Sequence, residues 1–137
     1  MSDSVLQQFR GKIVSEQPAH SPEGDAAEDM GAFAILRGVR DFARFLELRK
    51  KDGTVIAIGY SWLERIEYDG GHRMTLRFTN QIVNILGRNL NAEIRPNVRL
   101  LDGLARHRVP WVREFSERDT LNADKQGLVI EEIQLEP

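Results

Sequence analysis

The sequence predicts an α+β fold: a curved antiparallel sheet or open small barrel of about five strands, one C-terminal helix packed on it, and flexible acidic ends. Three observations predict it. Apolar and polar residues alternate with a period of two from Arg44 to Leu86, and Asp-Gly pairs punctuate that stretch. The period then turns helical near residue 96. With 137 residues the chain can bury one real core and is too short for two.

Compact structure is expected from Met30. Ile35, Val39, Phe42 and Leu46 recur at helical spacing, which suggests a short helix over 32–40. Gly38 weakens that helix, and a strand over Phe33–Leu36 is the competing reading. From Arg44, Leu46 and Leu48 alternate with Glu47 and Arg49, as in a half-buried strand. Lys51-Asp52-Gly53-Thr54 supplies a tight turn, because Asp-Gly tolerates the positive φ of a two-residue hairpin. The return strand carries Ile56, Ile58, Tyr60 and Trp62 on one face. Leu63 slips that phase before Ile66 and Tyr68 resume it, the mark of a bulge or sharp bend.

Asp69-Gly70-Gly71-His72 makes the next turn. Met74, Leu76 and Phe78 then point inward, while Arg73, Thr75, Arg77 and Thr79 point out. Asn80-Gln81 leads into a strand over Ile82–Leu86 that Gly87 ends or kinks. These strands, joined by short polar turns, predict an antiparallel meander. Over 96–107, Leu100, Leu101, Leu104 and Ala105 form an apolar stripe opposite Arg99, Asp102 and Arg106. Pro96 suits a first helical turn, and Asp102 and Arg106 make a favourable i,i+4 pair. Val109, Trp111 and Phe115 suggest a closing strand entered through Pro110, which marks a strand start or an edge. Leu128–Leu135 is apolar again, either a sixth strand or a segment that pairs with another chain.

The formal charge of −2 is a sum of unlike parts. Residues 1–29 carry two basic and six acidic side chains, and residues 116–137 carry the same numbers. Between them, residues 30–115 hold 15 basic and nine acidic side chains, and 13 of the 15 are arginine. The division follows: an acidic, partly disordered N-terminal arm over 1–29, a basic α+β domain over 30–115, and an acidic C-terminal tail over 116–137 with an extra strand at 128–135 in one reading. Residues 15–31, with two prolines and few large apolar side chains, cannot offset their ordering entropy. The first dozen residues offer material for a strand or short helix docked on the domain.

Cysteine is absent, which excludes disulfides, thiolate metal sites and cysteine nucleophiles. His20, His72 and His107 are scattered, so no metal-ligand spacing exists and no cofactor is called for. No serine sits in a nucleophile elbow, and Gly70-Gly71 lacks the lysine and helix of a phosphate loop. Glu67 and Asp69 share a solvated strand face. An enzyme would have to use His107, at the helix end, with a nearby carboxylate. The apolar run of a membrane span and the order of a secretory signal are both missing, so a cytoplasmic location away from membranes is expected.

Arginine remains. Arg73 and Arg77 share the outward face of one strand, and Arg88, Arg95 and Arg99 fall in or beside the connector before the helix. Together they are the candidate anion or nucleic-acid site, binding phosphates without reading sequence. Tyr60, Trp62, Tyr68, Phe78, Trp111 and Phe115 fall on apolar strand phases, where core packing is expected. Trp111, beside Arg108 and Arg113, is the one candidate for base stacking.

Over roughly residues 33–90, the order of a short helix, strand, Asp-Gly turn, long bent strand, two further strands and Gly87-Arg88-Asn89-Leu90 resembles the small barrels of Sm-like RNA-binding proteins. The loop after Tyr68 lacks that family's aspartate-to-asparagine base-binding signature, and the helix and strand after residue 95 have no counterpart in the barrel. The resemblance therefore implies a fold and no function. The function expected from the residues is a non-catalytic binding or scaffold domain whose partner is a second copy of itself. The alternative is an arginine-rich surface that takes nucleic acid (RNA) or a phosphorylated ligand.

Overall fold

Gly31, at φ +93°, turns the chain between two short strands at the start of the described region, β1 (Ala27–Asp29) and β2 (Ala34–Leu36). These pair antiparallel, and Asp29 Oδ1 accepts the Gly31 N–H at 2.7 Å. The computed structural model describes residues 27–38 and 40–137. The arm at 1–26, with its docked strand or helix and most of its disordered stretch, lies outside the described residues.

The strand reading of 33–36 prevails over the helix at 32–40. Phe33 bridges antiparallel to Val112, and Leu36 N–H donates to the Arg108 carbonyl at 2.8 Å, so long-range partners take the backbone groups a helix would use internally. The next two strands, β3 (Phe45–Arg49) and β4 (Val55–Gly59), form the expected hairpin, with Gly53 at φ +93° and Asp52 Oδ1 accepting the Thr54 N–H at 2.9 Å. A 3-10 turn over Tyr60–Trp62 then bends the chain into β5 (Leu63–Tyr68). The anticipated slip lies here, as a register shift between Leu63 and Arg65. β6 (Arg73–Phe78) and β7 (Gln81–Arg88) continue the meander.

The strands do not form the single five-stranded sheet expected: β4 and β5 lie in different sheets, separated at the Tyr60–Trp62 turn. The helix, α1 (Leu100–Ala105), is shorter than 96–107. Its expected first turn is spent on a tight reversal in which Asn97 takes φ +67° and Val98 N–H donates to the Arg95 carbonyl at 2.8 Å. Its end is set by His107 at φ +58°, with Arg108 N–H bonded to the Gly103 carbonyl and His107 N–H to that of Leu104. The following strand, β8 (Trp111–Arg113), enters through Pro110 and runs parallel to β3, reached by way of the second sheet and α1. A second helix, α2 (Glu117–Asn122), is unanticipated, and a capping box between Ser116 and Asp119 starts it. The last strand, β9 (Val129–Glu136), pairs antiparallel with β7 inside the chain, so the residues after 116 are built into the fold and are no flexible tail.

The result is a three-stranded mixed sheet, β4-β3-β8, and a four-stranded antiparallel sheet, β5-β6-β7-β9, with the β1–β2 ribbon at the side; none closes into a barrel. Leu46, Leu48 and Val112 from the first sheet meet Met74, Leu76, Val83, Ile85 and Ile133 from the second, and Leu100 and Leu104 of α1 join this core. Glycine permits two close approaches. A Cβ at Gly103 would stand 2.8 Å from Val109 and 2.9 Å from Ile35, and one at Gly87 would overlap the Val129 carbonyl.

Candidate functional site

The outer face of the three-stranded sheet exposes several large apolar side chains. Alternation turns Leu46 and Leu48 of β3 inward, which leaves Phe45, Glu47 and Arg49 outside. Cross-strand register places Val55, Ala57 and Gly59 of β4 beside them on one flank, and Trp111 and Arg113 of β8 on the other. Phe45 is 53% exposed, Val55 55% and Trp62 57%. The Trp62 indole lies over Gly59, where a Cβ would be 3.0 Å from its Cδ1 and 3.9 Å from Phe45 Cε2. Trp62 and Trp111 are thus not core residues. The 3-10 turn takes Trp62 off the strand phase, and β8 turns Val112, not Trp111, inward. Ring faces here are partly taken: the Arg49 guanidinium sits 4.5 Å from the Trp111 centroid, and that of Arg113 sits 4.6 Å from Phe115.

The strand edges are treated unequally. The outer edge of β9 is closed by side chains: Glu114 accepts the Ile133 N–H at 2.7 Å, and Lys50 Nζ donates to the Ile133 carbonyl at 2.8 Å. On β4, Tyr60 N–H donates to the Arg44 carbonyl and Lys50 N–H to that of Thr54. In that register Val55, Ala57 and Gly59 aim their main-chain groups away from β3, and no other described strand pairs with them. Val55-Ile56-Ala57-Ile58-Gly59 contains neither charge nor proline to blunt the edge.

The five candidate arginines do not form one site. Arg73 and Arg77 share the outer face of the four-stranded sheet, where Arg77 Nε binds Glu67 at 3.2 Å. Arg88 ends β7, half-buried, with its Nε unpartnered among the described residues. Arg95 and Arg99 do come together, lining a cleft beside β2 and α1. Two further arginines outside the predicted set line the cleft: Arg37, and Arg108, which the sequence places at the other end of the helix.

His107, Tyr60 and Glu114 make contacts within the fold. His107 stacks on buried Tyr60 at 4.5 Å between ring centroids, and Tyr60 Oη donates to the Val109 carbonyl at 2.6 Å. Burial pushes the Tyr60 phenol far up. Burial also pushes the Glu114 carboxyl up, but the Ile133 and Lys51 amides and the Lys50 ammonium outweigh it and hold it below the ordinary range. Among the described residues, no three or more His, Cys, Asp or Glu side chains converge to hold a metal, and no helix is long and apolar enough to cross a membrane. Comparison with known proteins adds no assignment: no protein-family model, curated protein or solved structure matches this chain.

Proposed function

We propose that the protein is a non-catalytic interaction module that pairs with a second copy of itself along β4. The single observation that carries this reading is an unblunted edge strand, Val55–Gly59, beside the exposed Phe45 and Trp62. Two-fold antiparallel pairing centred on Ala57 would set Gly59 of one copy opposite Val55 of the other. Trp62, lying over Gly59, then covers the other copy's exposed Val55. The small Ala57 side chains meet on the axis without overlap, and both open ladders are satisfied. Every contact is self-complementary, as an isologous interface requires.

A nucleic-acid platform is less well supported by the same face. Stacking needs free ring faces beside unpaired basic groups. Here Arg49 covers Trp111 and is itself bound to Glu47 at 2.9 Å.

Light scattering on the full chain at about 100 μM tests the pairing, since an interface of ordinary quality is populated there. Twice the chain mass is expected. Ala57→Pro removes an N–H that the β3–β4 ladder does not use, so it should give a folded monomer, and Ala57→Lys should do the same. A monomeric wild type, or dimers that persist in both variants, would overturn the reading. Binding of a single-stranded RNA that Trp62→Ala abolishes would favour the nucleic-acid alternative instead.

A further inference from the structure

The cleft holding Arg95 and Arg99 has a volume of about 420 Å³ and carries four guanidinium groups, from Arg37, Arg95, Arg99 and Arg108, against the two carboxylates of Glu28 and Asp102. Its walls come from the β1–β2 ribbon, the loop before α1, and α1 itself. Asp102 is bound to Arg106 at 3.0 Å on the exposed face of the helix, so it neutralises little inside.

Glu28 is held as a ligand would be. Arg95 grips its carboxylate with both terminal nitrogens, at 2.6 and 2.8 Å, and Arg37 Nε lies 4.0 Å from it. Arg99 reaches Glu93, at 3.6 Å, and the Asn91 carbonyl, at 3.5 Å, both outside that fork. Arg108 donates through Nη2 to the Leu36 carbonyl, and its Nε is buried without a partner among the described residues. A half-buried guanidinium tied only to main chain leaves positive charge that a second anion would relieve.

We propose that this cleft binds the phosphate group of a small phosphorylated ligand, and that the Glu28 carboxylate is its built-in competitor on the Arg95 fork. The arginine fork fits carboxylate and phosphate alike, so one geometry serves both occupants. The excess of guanidinium over carboxylate groups favours a dianion over a second carboxylate. Displacement needs only the Glu28 side chain to leave, because the backbone pairing of Glu28 with Ile35 does not depend on it. This site is separate from the β4 edge, and binding is read without reference to oligomeric state.

The test is titration of the full chain at low salt with inorganic phosphate and with phenyl phosphate, followed by calorimetry and by amide NMR shifts. Saturable shifts are expected at Leu36, Arg95, Val98 and Gly103. Glu28→Gln should tighten binding about tenfold, and Arg99→Ala, at a half-exposed position outside the core, should weaken it about tenfold. Absence of saturable shifts in both wild type and Glu28→Gln would overturn the proposal, as would binding that Arg99→Ala leaves unchanged. Binding of inorganic phosphate with none of phenyl phosphate would overturn the ester as ligand.

Discussion

Glu114 Oε2 accepts the Ile133 N–H at 2.7 Å, so a carboxylate from the end of β8 closes the outer edge of β9. Its other oxygen takes the Lys51 N–H at 2.9 Å, and Lys50 Nζ stands 3.4 Å away. One nearly buried side chain therefore ties the β3–β4 hairpin to both sheets. Glu114→Ala orphans two amides and removes the counter-charge of Lys50, and should cost about 3 kcal/mol in denaturant unfolding. Glu114→Gln should cost less, because its amide still accepts one N–H.

The same contact fixes an acid dependence. The Glu114 carboxyl is held below its ordinary value in the folded chain, so its contribution is present above the unfolded value, near 4.5. It is lost as pH falls through the folded value. Stability measured from pH 6 down to pH 3 should fall more steeply in wild type than in Glu114→Gln. Parallel curves would sink this account.

Gly87 marks where β9 approaches β7 most closely. The register shifts between Leu86 and Gly87, and the Val129 carbonyl occupies the space where a Cβ would lie. Gly87→Ala must push main chain against main chain, so a loss of about 2 kcal/mol is expected, with a lowered midpoint in thermal unfolding. A neutral Gly87→Ala would mean that the bulge can relax.

The period-two segment from Leu46 to Leu86 was legible because alternation and turn chemistry are both local. Asp52-Gly53 and Asp69-Gly70 impose their reversals whatever the rest of the chain does. What was illegible depends on partners remote in sequence. β8 pairs parallel with β3 across more than 60 residues, and β9 returns to β7 from about 40 residues further along the chain. Ser116-x-x-Asp119 was a readable capping signal, but no apolar stripe follows it to announce a helix. The candidate site was legible only in part. Arg95 and Arg99 are neighbours in sequence and meet in the cleft, whereas Arg37 and Arg108 arrive there through β2 and the end of α1.

His107 and Tyr60 give the last prediction. His107 occupies the left-handed position after α1, at φ +58°, where glycine is the unstrained choice. Its ring stacks on Tyr60 with planes 19° apart, which compensates for that backbone cost. His107→Ala keeps the strain and loses the stack, so it should destabilise by about 1 kcal/mol, while His107→Gly should stay near wild type because it loses both. Tyr60→Phe should cost about 1–2 kcal/mol by leaving the Val109 carbonyl unpaired. It should also change the alkaline limb. The folded phenol is pushed above its ordinary value of 10.0, so wild-type stability falls as pH rises past that point, where the unfolded chain ionises and the folded one does not. Tyr60→Phe should lack that component, and identical alkaline curves for the two proteins would contradict a buried, neutral Tyr60.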